Sequence, residues 1–324
     1  MQLLLLRSAA RCQPWHPPPP ATRPPRLLRP ALPAPSRRRQ RAAAAAGRYE
    51  AADTAAGSVV VEVCQDEAAV AQFLCDAVEA AAVAAVEQRG AFTLAIPGGS
   101  VLKALNGLAG RPAIPWDRVR LFFVNHKTVP NDDAGSSYAK ARELFLDAAG
   151  APPEAVVTLT GSDDAEAEAA AYGAALAAAA EAVGMERAPS GAPRFDMVLL
   201  GVGADGHVGS LYPGGRATDA SGAWVLAVTK AKPPASITLS LGVMNAARRV
   251  VVCLTGANKA NAAKLALETP VPAGEFPAQL VQPDAAPAVW LLDEAAAAKL
   301  DLVHGSPRGG MLQSDGSILY SFSD

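Results

Sequence analysis

The stretch FDMVLLGVGADGHVGSLYPG, residues 195–214, sets an apolar run directly before a loop of glycines that carries one aspartate and one histidine. A short continuous apolar run bounded by glycine is typical of a fully buried strand. In an open α/β sheet, ligands bind outside the carboxyl ends of the strands. Asp205 and His207 follow this strand, and the glycines around them, Gly203 and Gly206, allow the backbone to approach a ligand closely. The stretch therefore predicts a buried strand that ends in a functional histidine.

Short β-branched runs alternate with longer alanine-rich helical segments from residue 58 onward. The runs SVVVEV, FTLAI, VRLFFV and VVTLT precede the stretch, and AWVLAVT, SITLSL, RVVVCLT and AVWLLD follow it with shorter connections. Helical patterns start at Asp66, Ser100 and Gly135, and another ends at 184. This alternation predicts one α/β domain with a mostly parallel sheet and helices on both faces.

The N-terminal segment has a different composition from the rest. Its first 49 residues contain ten Arg, no Lys and no Asp or Glu, together with proline and alanine tracts. The apolar run at 3–6 ends at Arg7, so it is too short for a secretory signal, whereas Arg-rich leaders without acids are typical of organellar import. We therefore expect a disordered transit peptide over 1–55, an α/β domain over 56–300 and a C-terminal extension over 301–324. A disordered tail with no targeting role is the alternative.

Charge and cysteine content restrict the partners of the domain. Ten of the 29 Lys and Arg residues lie in the leader, so the remainder carries 19 basic against 31 acidic residues, a net charge of −12. This balance disfavours nucleic acid as a partner. The alanine-rich stretch 165–183 contains Glu166, Glu168 and Glu181, which disfavours a membrane span. The four cysteines have neither C-x-x-C nor Cys/His spacing, so no metal site or disulfide framework is expected. Oligomeric state, monomer or dimer, stays open.

A second strand end can bind an anion. In IPGGSVLKAL, residues 96–105, Gly98 and Gly99 form a tight turn into a helix. The N–H groups of that helix start, together with the hydroxyl of Ser100, can cradle a phosphate. An ordinary strand-to-helix turn explains the same residues equally well.

Two further strand ends carry candidate cations. In FFVNHKTVPNDDAGSSY, Asn125, His126 and Lys127 are expected to place an amide, an imidazole and a cation at the rim of the sheet, a solvated loop being the alternative. In RVVVCLTGANKA, a Thr-Gly-x-x-Lys turn supplies Lys259 near a helix start. Surface lysines are common, so it is their position after strands that marks them as candidates.

Taken in order, several of these segments resemble the 6-phosphogluconolactonase family, which is related in fold to glucosamine-6-phosphate deaminase. The segments are IPGGSVLKAL, VRLFFVNHKTVPNDDAGSSY, FDMVLLGVGADGHVGSLYPG, ITLSLGVMNAARRVVVCLTGANKA and VWLLDEAAAAKL, and they cover nearly all of 58–300. The string G-x-G-x-D-G-H-x-x-S-L-x-P-G is the lactonase form. The resemblance implies a Rossmann-like, modified doubly wound α/β fold with no metal and no cofactor. It implies hydrolysis of 6-phospho-D-glucono-1,5-lactone to 6-phosphogluconate in the oxidative pentose phosphate pathway. Together with the arginine-rich leader, it leads us to expect the chloroplast stroma of a plant or green alga, with the mitochondrion as the alternative.

The resemblance also assigns roles to residues. It makes His207 the general base that deprotonates the attacking water, a task that suits an imidazole. Asp205 and Asn125 complete the expected catalytic group, with Asp205 holding either the loop or the imidazole. The residues expected to bind substrate or its phosphate are Gly98, Gly99, Ser100, Lys127, Gly203, Gly206 and Lys259.

Two segments depart from the family pattern. The strand-end triplet Asp-Glu-Arg of the family is Asn125-His126-Lys127 here, and Ser236 replaces an Arg in PPASITL. A lysine cannot bind phosphate oxygens in the bidentate manner of an arginine. A catalytically weak homologue that acts as a binding or assembly protein therefore stays an alternative, as does a sugar-phosphate deaminase or isomerase.

Overall fold

The computed structural model describes residues 45–215, 222–229, 233–304, 310–312 and 318–320. The strands in these residues are β1 (Ala45–Thr54), β2 (Gly57–Cys64), β3 (Phe92–Ile96), β4 (Val119–Phe123), β5 (Asn125–Lys127), β6 (Met197–Gly201), β7 (Val225–Val228), β8 (Ser236–Leu239), β9 (Val250–Leu254), β10 (Ala288–Asp293), β11 (Gly310–Leu312) and β12 (Ile318–Tyr320). The helices are α1 (Glu67–Arg89), α2 (Gly99–Ala104), α3 (Ser137–Ala141), α4 (Ala165–Ala182), α5 (Leu241–Asn245), α6 (Ala260–Glu268), α7 (Glu294–Ala297) and α8 (Asp301–His304).

A seven-stranded sheet forms the centre of the fold, in the order β1-β2-β10-β9-β6-β3-β4. Neighbouring strands pair in parallel, except β1, which is antiparallel to β2. The inner strands are buried on both faces, which explains their continuous apolar sequences. Two apolar clusters cover the two faces, so that Phe122 packs into one cluster and Phe123 into the other. The predicted α/β class, a mostly parallel sheet with helices on both faces, is confirmed.

A second, three-stranded sheet lies beyond the end of β4, in the order β5-β8-β7 with antiparallel pairing. The predicted strands in AWVLAVT and SITLSL exist as β7 and β8, but they belong to this small sheet. The Leu239 N–H donates to the Val124 carbonyl at 2.7 Å, which joins β8 to the segment between β4 and β5. The predicted strand VVTLT does not form, since only Val156 makes an isolated bridge, to Leu121.

Part of the segment that the sequence predicts to be a leader forms a strand. Residues Ala45–Thr54, expected to be part of a disordered leader, form β1 along the edge of β2. Arg48 of this strand pairs with Glu62 at 2.8 Å. The rest of the predicted leader, 1–44, lies outside the described residues. Within the predicted extension 301–324, the described parts are α8 and the antiparallel pair β11 and β12.

Helix α1 shows how local sequence sets the helix ends. The Asp66 side chain accepts the Ala69 N–H at 2.8 Å and caps the first turn. Gly90 ends the helix in the left-handed region, with φ 79°. By length and hydropathy alone, α1 is the one helix among the described residues that could cross a bilayer, but its Val70 and Leu74 are buried in the protein core.

Candidate active site

The loop after β6 closes on itself and presents His207. Val202 pairs with Val208 in an antiparallel bridge, and Val208 pairs with Leu211. The Gly203 N–H donates to the His207 carbonyl at 2.8 Å. These bonds hold residues 202–211, which we call the histidine loop, in one tight turn at the carboxyl end of the sheet.

Asp205 and His207 form a hydrogen-bonded dyad. His207 Nδ1 lies 2.6 Å from Asp205 Oδ1, and the two side chains are 33% and 51% exposed. Burial raises the pKa of the Asp205 carboxyl, but the hydrogen bonds that it accepts from His207 outweigh this and hold its pKa below the ordinary value. Because Asp205 is therefore ionised at neutral pH, Nδ1 carries the shared proton and the lone pair of the imidazole lies on Nε2. The dyad can thus act as an oriented base that is open to solvent.

Two glycines make room for the dyad and its loop. A Cβ atom on Gly203 would lie 2.1 Å from His207 Nδ1 and 2.4 Å from Asp205 Oδ1. Gly206 has φ 87°, and a Cβ there would lie 2.4 Å from the ring of Phe276. Both positions therefore require glycine, because a side chain at either would overlap its neighbours. This explains the two glycines of the Gly-x-Asp-Gly-His sequence.

The small sheet supports the histidine loop from the other side through Ser210. The Asn125 side-chain amide donates to Ser210 Oγ at 3.3 Å, and Ser236 Oγ lies 3.1 Å from the same atom. The Ser210 N–H donates to Thr238 Oγ1 at 3.2 Å. The structure thus brings Asn125 to the histidine loop, as expected. Ser210 was missed by sequence reasoning, although it stands in the same motif three residues after His207.

The strand-end triplet splits between the two faces of β5. Lys127 lies directly opposite Ser236 in the β5–β8 register and is exposed, beside Gly135. His126 points the other way and is only 1% exposed, so the expected imidazole at the rim is absent. Its Nδ1 donates to the Lys127 carbonyl at 2.7 Å, and its Nε2 accepts the Tyr138 N–H at 3.2 Å. His126 is therefore a buried structural residue at the start of α3.

The predicted phosphate-binding residues Gly98, Gly99 and Ser100 lie at the N-terminus of α2, which no side chain caps. Gly98 precedes α2 with no side-chain cap, and both Gly99 and Ser100 are exposed. A Cβ on Gly98 would lie 3.1 Å from Ser137 Oγ, so the start of α2 lies next to the start of α3. Lys259, the other candidate cation, is half-buried and donates through Nζ to the Val202 carbonyl at 2.7 Å. It therefore touches the base of the histidine loop.

Comparison with known proteins identifies the family of the chain. The family described as glucosamine-6-phosphate isomerases/6-phosphogluconolactonase matches residues 65–290. The chain is 33% identical to probable 6-phosphogluconolactonase 1 of Arabidopsis thaliana over 227 residues, 67% of this chain and 85% of that protein. It is 35% identical to the chloroplastic 6-phosphogluconolactonase 3 of the same plant over 223 residues, 66% of this chain and 67% of that protein.

A solved structure gives the same result. The 6-phosphogluconolactonase of Trypanosoma brucei superposes with a TM-score of 0.60 at 25% identity, covering 74% of this chain and 98% of that one. The family match over residues 65–290 extends from just before α1 to β10. It contains the histidine loop, the small sheet and the turn of Lys259. The chain therefore belongs to the glucosamine-6-phosphate isomerase/6-phosphogluconolactonase family.

Proposed function

We propose that this protein hydrolyses 6-phospho-D-glucono-1,5-lactone to 6-phospho-D-gluconate in the oxidative pentose phosphate pathway. The relatives named above are 6-phosphogluconolactonases, which supports lactone hydrolysis over deamination. The observation that carries the proposal is the hydrogen bond between Asp205 and His207, because it leaves Nε2 as an accessible base. The intact dyad also argues against a catalytically weak homologue.

The dyad accounts for both proton transfers of the reaction. Nε2 of His207 takes a proton from the water that attacks C1 of the lactone, and Asp205 stabilises the imidazolium that forms. As the tetrahedral oxyanion collapses, the bond between C1 and the ring oxygen breaks. The imidazolium then returns its proton to that oxygen, which leaves as the C5 hydroxyl. Asn125 of β5 is half-buried and lies against the histidine loop, where its side-chain amide is suited to donate a hydrogen bond to the substrate.

We expect the substrate phosphate to lie against the start of α2. The uncapped N–H groups after Gly98 and the exposed Ser100 hydroxyl are donors for a dianion. Lys127 supplies an exposed point charge. Lys259 has two ammonium protons left after its bond to Val202, while Gly203 and Gly206 keep the backbone of the loop close to the substrate.

Replacement of His207 by Asn tests the function. We expect kcat for the phosphorylated lactone, measured above the spontaneous rate, to fall by about 10²-fold or more because the base is lost. The control is the variant His304→Asn, which changes an exposed histidine of α8 and should keep full activity. Near-normal turnover in His207→Asn would remove this residue from the mechanism. Release of ammonia from glucosamine 6-phosphate by the wild type would instead identify a deaminase.

We further propose that the protein works in the plastid. One of the relatives described above is named chloroplastic, and the arginine-rich segment that precedes β1 has the composition of an import signal.

A further inference from the structure

Asp293, at the end of β10, is buried and fully engaged although it lies outside the dyad. It is 5% exposed, and both of its carboxylate oxygens accept the Gly256 N–H, at 3.0 and 2.9 Å. One of them also accepts the Ala296 N–H at 2.7 Å and caps α7. A cap needs only one carboxylate oxygen and no contact with another loop. The bonds from the Gly256 N–H are additional, and they tie Asp293 to the turn that follows β9.

That turn carries Lys259. Gly256 has φ 87°, a conformation that glycine adopts without strain, and its carbonyl accepts the Lys259 N–H at 2.9 Å. The bonds from the Gly256 N–H to Asp293 and from the Lys259 N–H to the Gly256 carbonyl therefore fix the backbone of this turn. Lys259 leaves the turn and reaches the Val202 carbonyl at 2.7 Å with Nζ.

Val202 is the first residue of the histidine loop and pairs with Val208, the neighbour of His207. Contacts thus run from Asp293 through Gly256 and Lys259 to the loop that holds the catalytic base. They cross β10, β9 and β6, which are adjacent strands of the large sheet. The chain of contacts is short because the ends of adjacent parallel strands lie side by side.

We propose that Asp293 is a positioning residue for His207, acting through the Gly256 turn and Lys259. It fixes the turn, the turn aims Nζ of Lys259 at the Val202 carbonyl, and that bond sets the base of the histidine loop. The effect on turnover rests on the lactonase function proposed above, whereas the effect on the loop does not depend on it. On this view the main task of Lys259 is to hold the loop, in addition to any contact with phosphate.

Kinetics of the full-length protein test the proposal. We expect Asp293→Ala and Lys259→Met each to lower kcat about 10-fold or more for both phosphorylated and unphosphorylated gluconolactone, with KM for the unphosphorylated lactone changed less than about 3-fold. Because both act on one chain of contacts, the double variant should be about as slow as either single variant. Asp293→Asn keeps an acceptor for the Gly256 N–H and should recover most of the activity. The matched control is Asp164→Ala, which removes the cap of α4 from the Glu166 and Ala167 N–H groups, away from the loop.

Amide hydrogen exchange without substrate separates this proposal from the function itself. We expect the Gly203 and Leu211 N–H groups to exchange about 10-fold faster in Asp293→Ala and Lys259→Met, with no change in Asp164→Ala. If the wild type does not hydrolyse the lactone, the proposed function fails, and the exchange result alone decides whether the positioning holds. Equal loop exchange in all variants would overturn it. The proposal would also fail if the kcat losses of the two single variants multiplied in the double variant. It would fail too if Lys259→Met changed only KM for the phosphorylated lactone.

Discussion

Lys127 and Ser236 lie opposite each other in the pairing of β5 with β8. They are the two positions at which the family resemblance leads us to expect an arginine. Lys127 is exposed, whereas Ser236 is buried, with 1% of its surface exposed, and makes a hydrogen bond to Ser210. The two departures therefore differ in consequence. Lys127 can still reach an anion in solvent, whereas Ser236 serves the support of the histidine loop.

Replacement of Lys127 by Ala should raise KM for the phosphorylated lactone about 10-fold and leave hydrolysis of unphosphorylated gluconolactone nearly unchanged. Only the first substrate has a dianion that loses its partner, and a single exposed charge should make binding salt-sensitive. Initial rates for both lactones at two salt concentrations measure this. Lys140→Ala, at an exposed lysine of α3, is the control. Equal effects on both lactones would show that Lys127 does not bind phosphate.

The burial of Ser236 changes what the sequence alone suggests about restoring the family pattern. From sequence, Lys127→Arg together with Ser236→Arg should tighten phosphate binding. The structure supports only the first substitution, because an Arg at 236 must displace the contact with Ser210 Oγ at 3.1 Å. We expect Lys127→Arg to lower KM and the double variant to lose stability.

His126 makes stability depend on pH. Burial lowers its pKa below the ordinary value of 6.5, more than the Lys127 carbonyl and the Glu168 carboxylate raise it. The folded state therefore holds the imidazole neutral, and the unfolded state takes up a proton first as the pH falls. The stabilisation is complete above pH 6.5 and is lost as the pH falls from there through the lower pKa of the folded state.

Urea unfolding between pH 7.5 and 5 should show this loss. We expect the free energy of unfolding of the wild type to fall more steeply than that of His126→Gln, by up to about 1.4 kcal/mol per pH unit. The variant lacks a titrating group at this position, so the difference between the two curves isolates His126. Parallel curves would contradict the interpretation.

At the scale of elements, β1 closes one edge of the large sheet and covers a buried acid. Burial raises the pKa of Glu62 more than Arg48 lowers it, so the charged form of this side chain is disfavoured even with its cation present. Without β1, the backbone of β2 would become an unpaired edge. We therefore expect this strand to belong to the folded domain and not to the leader.

Two truncated chains test this boundary. A chain that starts at residue 45 should unfold at the same urea concentration as the full-length protein. A chain that starts at residue 56 should lose at least about 2 kcal/mol, since several strand hydrogen bonds and the packing of β1 are lost. Identical midpoints for the two chains would show that β1 contributes nothing to stability.

The sequence predicts the elements that depend on local pattern and misses those that depend on neighbours. Val59–Val63 and Val250–Leu254 are β-branched runs between turn signals, so β2 and β9 could be found. Strand β1 has the sequence AAGRYEAADT, which contains few strand-forming residues, and it exists because β2 offers an edge. VVTLT has the composition of a strand but borders β4 only at Val156.

The same distinction holds in the site. Asp205 and His207 lie two residues apart in a glycine loop, so the sequence places them together but leaves open whether Asp205 holds the loop or the imidazole. The contacts of Ser210 with Ser236 and of Lys259 with Val202 join distant segments and required the structure. The inward orientation of His126 follows from the β5–β8 register, which the sequence does not specify.

At the scale of the whole molecule, charge is divided between an arginine-rich N-terminal segment and an acidic remainder. A reporter fused to residues 1–44 should therefore enter plastids, and fluorescence microscopy of plant cells would show it. The same leader with its arginines replaced by glutamine should stay in the cytosol, as should residues 45–324 fused alone. Cytosolic retention of the first fusion would refute the proposed location.

The position of β10 sets an order in time. It is the last strand of the large sheet along the chain, yet it lies between β2 and β9. A chain that is synthesised or imported from its N-terminus releases β1 and β2 early, and this hairpin has no sheet neighbour until residues Ala288–Asp293 arrive. Pairings between such distant segments slow folding. We therefore expect the hairpin to stay an exposed apolar edge until this C-terminal strand inserts.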